Sequence, residues 1–420
     1  MDSSLLSGWL PWTLRILALA AVGAAVVRVS PFWVRRRLPW AAGGALLGTG
    51  LIAVVVVLFG DVQDGLPVGM WFWVFCALLA LGTLACGLQG ARWWNMTAVP
   101  IATALSVLCG ANSLNAATGY YPSVDIALSD LAGAPVPQQM SLDQALGTVG
   151  KATEGRVVAV DIPAEPSGFQ HRQELVYLPP AWFKSKNRPQ LPVVEMIGGQ
   201  YMSPSNWVRV GDAVKTADAY AAAHDGYAPV LVFVDATGGF NADTECVNGP
   251  AGKAQDHLVK DIPPFIVKTF GTASGPRSWS AAGWSMGGTC ALDLGVVHPE
   301  VFGHFVDMAG DLGPSTGSKQ QTIEKLYGGD AAAWAANDPL TVLRGKHGDY
   351  SSSSGLFMVG DTEAGHIANA KELDRAANAA GLKTRVEVHP GKHDWQFGAF
   401  AFKESLPWLA KELGLPGAGG

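Results

Sequence analysis

The sequence predicts a chain in two parts: an α/β domain on a mostly parallel sheet with helices on both faces, preceded by a four-helix transmembrane domain. Three observations carry this reading. Four long apolar stretches fill the first 114 residues, strand-like apolar runs alternate with helical segments from Leu191 onward, and a Gly-x-Ser-x-Gly pentapeptide joins one such strand to one such helix. The expected boundaries are 1–114 for the membrane part, 115–155 for a linker on the far side of the membrane, and 156–420 for the α/β domain.

The apolar stretches cover 10–27, 38–59, 68–88 and 93–114, each close to the ~20 residues needed to cross a bilayer. Arg28, Arg35, Arg36 and Arg37 fall between the first two, and Arg92 falls between the last two. The opposite ends carry Asp2, Asp61 and Asp64 but neither Lys nor Arg. Positive residues stay on the cytoplasmic side, so the N-terminus and everything after Leu114 are expected outside. Trp9, Trp12, Trp33, Trp40, Trp71, Trp73, Trp93 and Trp94 gather at the span ends, as interface anchors do. Arg15 lies near enough to the outer end of its span to snorkel. A cleaved signal peptide explains one apolar stretch but not four. A stack of buried soluble helices would not lack Lys and Glu altogether before residue 115. The spans also hold no carboxylate or histidine, which argues against a proton-coupled pump.

Charge divides along the same line. The first 114 residues hold six of the 29 bases and three of the 35 acids, a net of +3, and the remainder is left with −9. An acidic outer domain of this size is one α/β domain with a full core. It is poorly suited to holding nucleic acid or anionic lipid through charge. Cys76, Cys86 and Cys109 fall inside the spans, where a thiol acts as a small hydrophobe. Cys246 and Cys290 are the two left outside, and they are expected to form one disulfide in an oxidising compartment. No Cys-x-x-Cys or His/Cys cluster has metal-ligand spacing, so neither a metal nor a cofactor is expected.

Along the outer part, 115–155 is rich in Ala, Gly, Pro and Ser and reads as a tether with a short helix over 142–153. Residues 155–160 and 172–177 read as antiparallel opening strands. The strand 192–197 is followed by Gly198-Gly199-Gln200, and the strand 230–235 by a long loop. The strand 279–282 feeds Gly283-Trp284-Ser285-Met286-Gly287-Gly288 and a helix over 289–294. A serine on such a strand-to-helix turn is held in strained geometry, with its hydroxyl exposed at the positive helix end. Segment 312–355 interrupts the strand–helix rhythm and reads as a cap, with Trp334 and Tyr350 as candidate pocket walls. A strand over 355–360 then ends at Asp361-Thr362-Glu363. A helix over 368–380 stops at Gly381, and a strand over 384–388 runs into Pro390-Gly391-Lys392-His393-Asp394-Trp395.

Serine, then acid, then histidine is the chain order of the α/β-hydrolase fold. In that scheme His393 takes the Ser285 proton and passes it to the leaving group, while a carboxylate fixes the imidazole tautomer and stabilises the imidazolium. Glu363 is preferred as the acid for its reach, with Asp361 as the alternative. His366 and His389 are the rival bases; His389 falls on the strand itself as a packed residue, and His366 lies in the acid loop. The oxyanion hole needs two backbone N–H groups. They are assigned to Met286 and Gln200, with Gly199 as the alternative to Gln200.

From about residue 156 to 413 the chain resembles the esterase D family, the group that also includes feruloyl esterases and mycolyltransferases. The matching residues are Leu175-Val176-Tyr177-Leu178-Pro179-Pro180, the Gly-Trp-Ser-Met-Gly-Gly turn and Pro390-Gly391-Lys392-His393-Asp394-Trp395. The family's Gly-Thr-x-Asp motif, laid on Gly360-Asp361-Thr362-Glu363, implies Glu363 as the acid, and the mycolyltransferases also have glutamate there. The usual His-Gly of the oxyanion loop is Gly198-Gly199 here. The resemblance implies ester hydrolysis or acyl transfer through a serine acyl-enzyme, with a cell-envelope lipid or glycolipid as a candidate donor. A non-catalytic envelope scaffold with a retained hydrolase fold is the alternative. The expected partners are an ester or acyl-lipid substrate and the membrane, with no nucleic acid.

Overall fold

The computed structural model describes residues 4–28, 30–59, 66–87, 91–150, 152–240, 242–345 and 350–417. Asp2, Asp61, Asp64 and the end of the third expected span at Leu88 lie outside the described residues. Two compact units make up the chain, Met1–Gly133 and Ala134–Gly420.

The first unit contains α1 (Trp9–Val26), α2 (Leu38–Phe59), α3 (Val68–Ala85) and α4 (Trp93–Thr118). A π-helical turn, Trp33–Arg37, leads into α2, and the four segments are long and apolar enough to cross a membrane. Small residues such as Ala18, Ala25, Ala80 and Ala102 line the inside of the bundle with Trp73 and Cys109, which lets helices approach closely without a hydrophobic drive from water. Leu47, Leu51, Val57 and Leu58 face outward and are exposed, a pattern that suits lipid better than water. Two polar side chains close the helix ends at one end of the bundle. Buried Arg28 donates to the carbonyls of Thr83 and Gly87 and stacks 3.7 Å over the Trp33 ring. The Asn95 amide donates to the carbonyls of Ala24 and Val27.

The stretch expected to be a tether is more ordered than its composition indicated. α4 ends at left-handed Gly119, and a helix Val124–Leu131 follows, capped by the Ser123 hydroxyl. In the second unit the same stretch supplies β1 (Gln139–Met140) and a helix Leu142–Gly147 that stops short of residue 153. Ser141 and Gln144 form a reciprocal capping box there.

Second-unit strands are β2 (Arg156–Val160), β3 (Glu174–Leu178), β4 (Val193–Ile197), β5 (Val230–Val234), the small hairpin β6 (Asn248–Gly249) and β7 (Gly252–Lys253), β8 (Trp279–Trp284), β9 (His304–Met308), β10 (Ser354–Gly360) and β11 (Lys383–His389). Eight of them join β1 in one nine-stranded sheet in the order β1-β2-β3-β5-β4-β8-β9-β10-β11. Pairs β2–β3 and β3–β5 are antiparallel and every other neighbouring pair is parallel. The central strands are buried on both faces, so they read as unbroken apolar runs such as Val230-Leu231-Val232-Phe233-Val234. This is the fold class the sequence predicted. Because β4, β8, β9, β10 and β11 run parallel, their C-terminal ends share one edge of the sheet, where open α/β folds place their sites.

Cys246 and Cys290 are bonded, which ties the loop after β5 to the helix Met286–Val297. Among its described residues, segment 312–355 holds three short helices, Lys319–Tyr327, Ala331–Asn337 and Pro339–Gly345. Its two aromatic candidates are packing residues rather than pocket walls. Tyr350 is fully buried, with its hydroxyl on the Val296 carbonyl. Trp334 packs on Val247, Leu326 and Tyr327 beneath the Lys319 ammonium.

Candidate active site

The Gly-x-Ser-x-Gly turn folds as it does because neither Gly283 nor Gly287 has room for a side chain. Ser285 has φ 59° and ψ −126°, backbone that L-residues rarely occupy and that costs of order 1–3 kcal/mol. A Cβ on Gly283 would lie 2.0 Å from the Gly287 carbonyl oxygen, and one on Gly287 would lie 2.3 Å from that of Ile197. The Ser285 amide is pinned to the Met308 carbonyl at the end of β9, at 2.9 Å. The hydroxyl is thereby set at the N-terminus of the helix Met286–Val297.

Ser285 Oγ lies 2.9 Å from His393 Nε2, and His393 Nδ1 lies 2.6 Å from Glu363 Oε1. The histidine follows β11 and the glutamate follows β10, neighbours paired in register with Gly360 opposite His389. Asp394 caps the next helix through the Phe397 amide, which fixes the turn that presents His393. The imidazole lies between two rings, Trp284 at 5.0 Å and His366 at 4.9 Å.

Glu363 uses both oxygens. Oε2 accepts the Gly360 amide at 3.2 Å, and Oε1 also lies 3.3 Å from His366 Nδ1. Burial by itself would raise this carboxyl, but hydrogen bonds from His366 and His393, together with their charge, hold it down at about 2. Asp361 is engaged elsewhere: its carboxylate accepts the Gly391 amide at 3.1 Å, and its own amide donates to the His389 carbonyl. It braces the loop that carries His393. His389 packs against Phe400 beside Glu387, as a strand residue should.

The loop after β4 lies against the elbow. A Cβ on Gly199 would meet the Trp284 carbonyl oxygen at 3.2 Å. The Gly199 amide already donates to Met202 Sδ at 3.0 Å, whereas the Gln200 amide has no partner among the described residues. Met286 is the first residue of its helix, so its amide is one the helix leaves unpaired. Behind the loop, Arg172 donates to the Met202 carbonyl at 2.6 Å and pairs with Asp235 Oδ1 at 2.7 Å. This strut, and the His366 ring against His393, were not singled out by motif; only the placement of His366 in the acid loop hinted at the second.

One further carboxyl lies under the elbow. Asp307 on β9 is buried, and burial pushes it up to about 7 although it accepts the Gly310 amide at 2.7 Å. A Cβ on Gly288 or Gly310 would lie 2.5 Å from its Oδ1. A hydroxyl, an imidazole and a carboxylate linked in this way can pass a proton from oxygen to ring while the carboxylate stabilises the cation.

The family described as "Putative esterase" matches residues 170–409, more than half of the chain. An uncharacterised protein of Corynebacterium glutamicum is 34% identical over 297 residues, covering 67% of this chain and 69% of its own. Among solved structures, an S-formylglutathione hydrolase from Agrobacterium tumefaciens superposes with TM-score 0.52 at 20% identity, over 64% of this chain and 99% of its own. A ferulic acid esterase does so with TM-score 0.50 at 20% identity, over 62% and 99%. These likenesses are of fold. With the family match, they place the chain in the esterase family of α/β-hydrolases.

Proposed function

We propose that this protein is a membrane-anchored serine esterase or acyltransferase whose reacting groups lie on the extracytoplasmic side. Ser285 Oγ attacks the carbonyl carbon of an ester while His393 Nε2 takes its proton. The C–O bond of the ester breaks, and the leaving alkoxide receives that proton from His393. Water or an acceptor hydroxyl then gives its proton to His393 and attacks the acyl carbon; the bond to Ser285 Oγ breaks, and His393 returns the proton to that oxygen. Glu363 holds the Nδ1–H tautomer and balances the imidazolium charge. The amides of Met286 and Gln200 are the donors assigned to the oxyanion.

The single observation that carries this reading is the unbroken Ser285–His393–Glu363 chain, at 2.9 and 2.6 Å. Four apolar helices with arginine-bearing connections on one side support anchoring and an outer location. The Cys246–Cys290 bond suits an oxidising compartment. Tethering to a membrane raises the effective concentration of substrates confined to it, which favours an envelope lipid or glycolipid as acyl donor.

The test is labelling of the detergent-solubilised full chain with a fluorophosphonate. Wild type is expected to be labelled on Ser285, and Ser285→Ala to remain dark. A folded wild type that takes no label favours a binding scaffold instead. Product analysis with and without a sugar acceptor then separates transfer from hydrolysis.

A further inference from the structure

The segment entering β3 and the π-helical turn His257–Asp261 bring two histidines and a glutamate to one point inside the second unit. Glu174 and His257 are fully buried, and the His171 side chain is 11% exposed. His171 Nδ1 lies 2.8 Å and His257 Nε2 lies 3.1 Å from the same oxygen, Glu174 Oε1. The far nitrogen of each ring is already held. His257 Nδ1 is 2.9 Å from Asp261 Oδ2, and His171 Nε2 is 2.9 Å from the Ile162 carbonyl oxygen. With those two positions donating, the inward nitrogens present lone pairs, and they face a carboxylate that also only accepts. The Arg172 carbonyl oxygen, 3.0 Å from His171 Nδ1, faces the same space. Glu174 Oε2 is buried with no hydrogen-bond partner. A ligating imidazole ordinarily gives its other N–H to a carboxylate or a backbone carbonyl, which fixes ring and tautomer. Here one histidine has the first arrangement and the other has the second.

We propose that His171, Glu174 and His257 bind a zinc ion, with Asp261 and the Ile162 carbonyl orienting the two imidazoles. Two ring nitrogens and a carboxylate match zinc, whereas calcium and magnesium call for oxygen alone. The charges close, since one divalent cation balances the Glu174 and Asp261 carboxylates. Protons compete with the metal for the space. One on His171 Nδ1 would serve Glu174 alone and leave His257 Nε2 facing it. One on each inward nitrogen would set two cations face to face with ring centroids 4.2 Å apart, where like charges repel. The site is structural rather than catalytic: it fastens the start of β3 to the turn that precedes the helix Ile262–Phe270. It also lies next to Arg172, which reaches the Met202 carbonyl behind the oxyanion loop.

The test uses the full chain in detergent, purified without a metal-affinity step, with metal content read by plasma mass spectrometry. One zinc per chain is expected in wild type and in His366→Ala, which alters only the His/Glu group beside Ser285. Loss of that zinc is expected in His171→Ala and in His257→Gln. Asp261→Asn leaves all three ligands in place and should weaken zinc by about 10–100-fold. Because a ligand variant can misfold, wild type is also stripped with chelator and refilled with cobalt(II). Visible d–d absorption and a rise in unfolding temperature on refilling with zinc are the expected results. Stripped wild type that stays folded, shows no cobalt bands and gains no stability from zinc overturns the proposal. So does zinc retained at full occupancy in folded His257→Gln. Neither readout depends on whether Ser285 reacts.

Discussion

Asp361 and Glu363 stand two positions apart in one loop, and their different partners bear on which is the acid of the proposed triad. The Asp361 amide is tied to the His389 carbonyl, and its carboxylate is spent on the Gly391 amide. Glu363 reaches His393 instead. Replacing Glu363 by Gln leaves the shape but loses the charge and supports the wrong tautomer, so kcat should fall by about 10⁴-fold, measured by steady-state ester hydrolysis. Stability should respond to pH in a defined direction. Glu363 falls from its ordinary 4.5 to about 2 in the folded protein, so its contribution is complete above about pH 4.5. It is lost as pH falls from there through about 2. Denaturant titrations across that range should show wild type losing stability and Glu363→Gln lacking this part of the slope.

At the scale of elements, the elbow depends on β9 as much as on β8. Asp307 at the end of β9 accepts the Gly310 amide and fills the space kept open by Gly288 and Gly310. Burial raises its folded pKa from 3.8 to about 7, so the sign is opposite to that of Glu363. Its stabilisation is complete below about pH 3.8 and declines as pH rises to about 7. Asp307→Asn keeps an acceptor for Gly310 without an ionisable group. It should retain fluorophosphonate labelling and flatten the loss of stability between those limits, as followed by thermal melts at several pH values. The helix Met286–Val297 is held from its other side by Cys290, through the bond to Cys246. That bond closes a loop with a sequence separation of 44 residues, for which chain entropy predicts stabilisation of about 4 kcal/mol. Reduction, or Cys246→Ser with Cys290→Ser, should lower the denaturant midpoint, with a steeper slope because the freed unfolded chain exposes more surface.

For the whole molecule, the expected order is spans first and esterase-family unit second, with the arginines on the cytoplasmic side. Protease added to intact spheroplasts should therefore remove a C-terminal tag, and protease added to inverted vesicles should not. A tag protected in spheroplasts would place the second unit in the cytosol and leave envelope esters out of its reach. The composition of 115–155 suggested a loose tether, yet Ser123, Ser141 and Gln144 cap short helices there. Capping is a matter of one or two side chains, and a low-complexity average hides it.

Local chemistry was written in the sequence. Gly283 and Gly287 around Ser285 pointed to a tight strand-to-helix turn, and the chain order placed a candidate acid and base after it. Four runs without Lys or Glu declared a membrane preference, and the outer part had only two cysteines to pair. What the sequence could not decide was convergence. Both candidate acids follow β10, and only the folded chain shows Glu363 within hydrogen-bond reach of His393 while Asp361 turns to the Gly391 amide. The contact of the Gly199 amide with Met202 Sδ, which favours Gln200 as the proposed second donor, is likewise visible only in the fold. His171 and His257 share Glu174 although 86 positions separate the two histidines. Backbone preference and burial act over a few residues and can be read from them. The meeting of distant side chains depends on how the whole sheet is threaded, and only the tertiary structure fixes that.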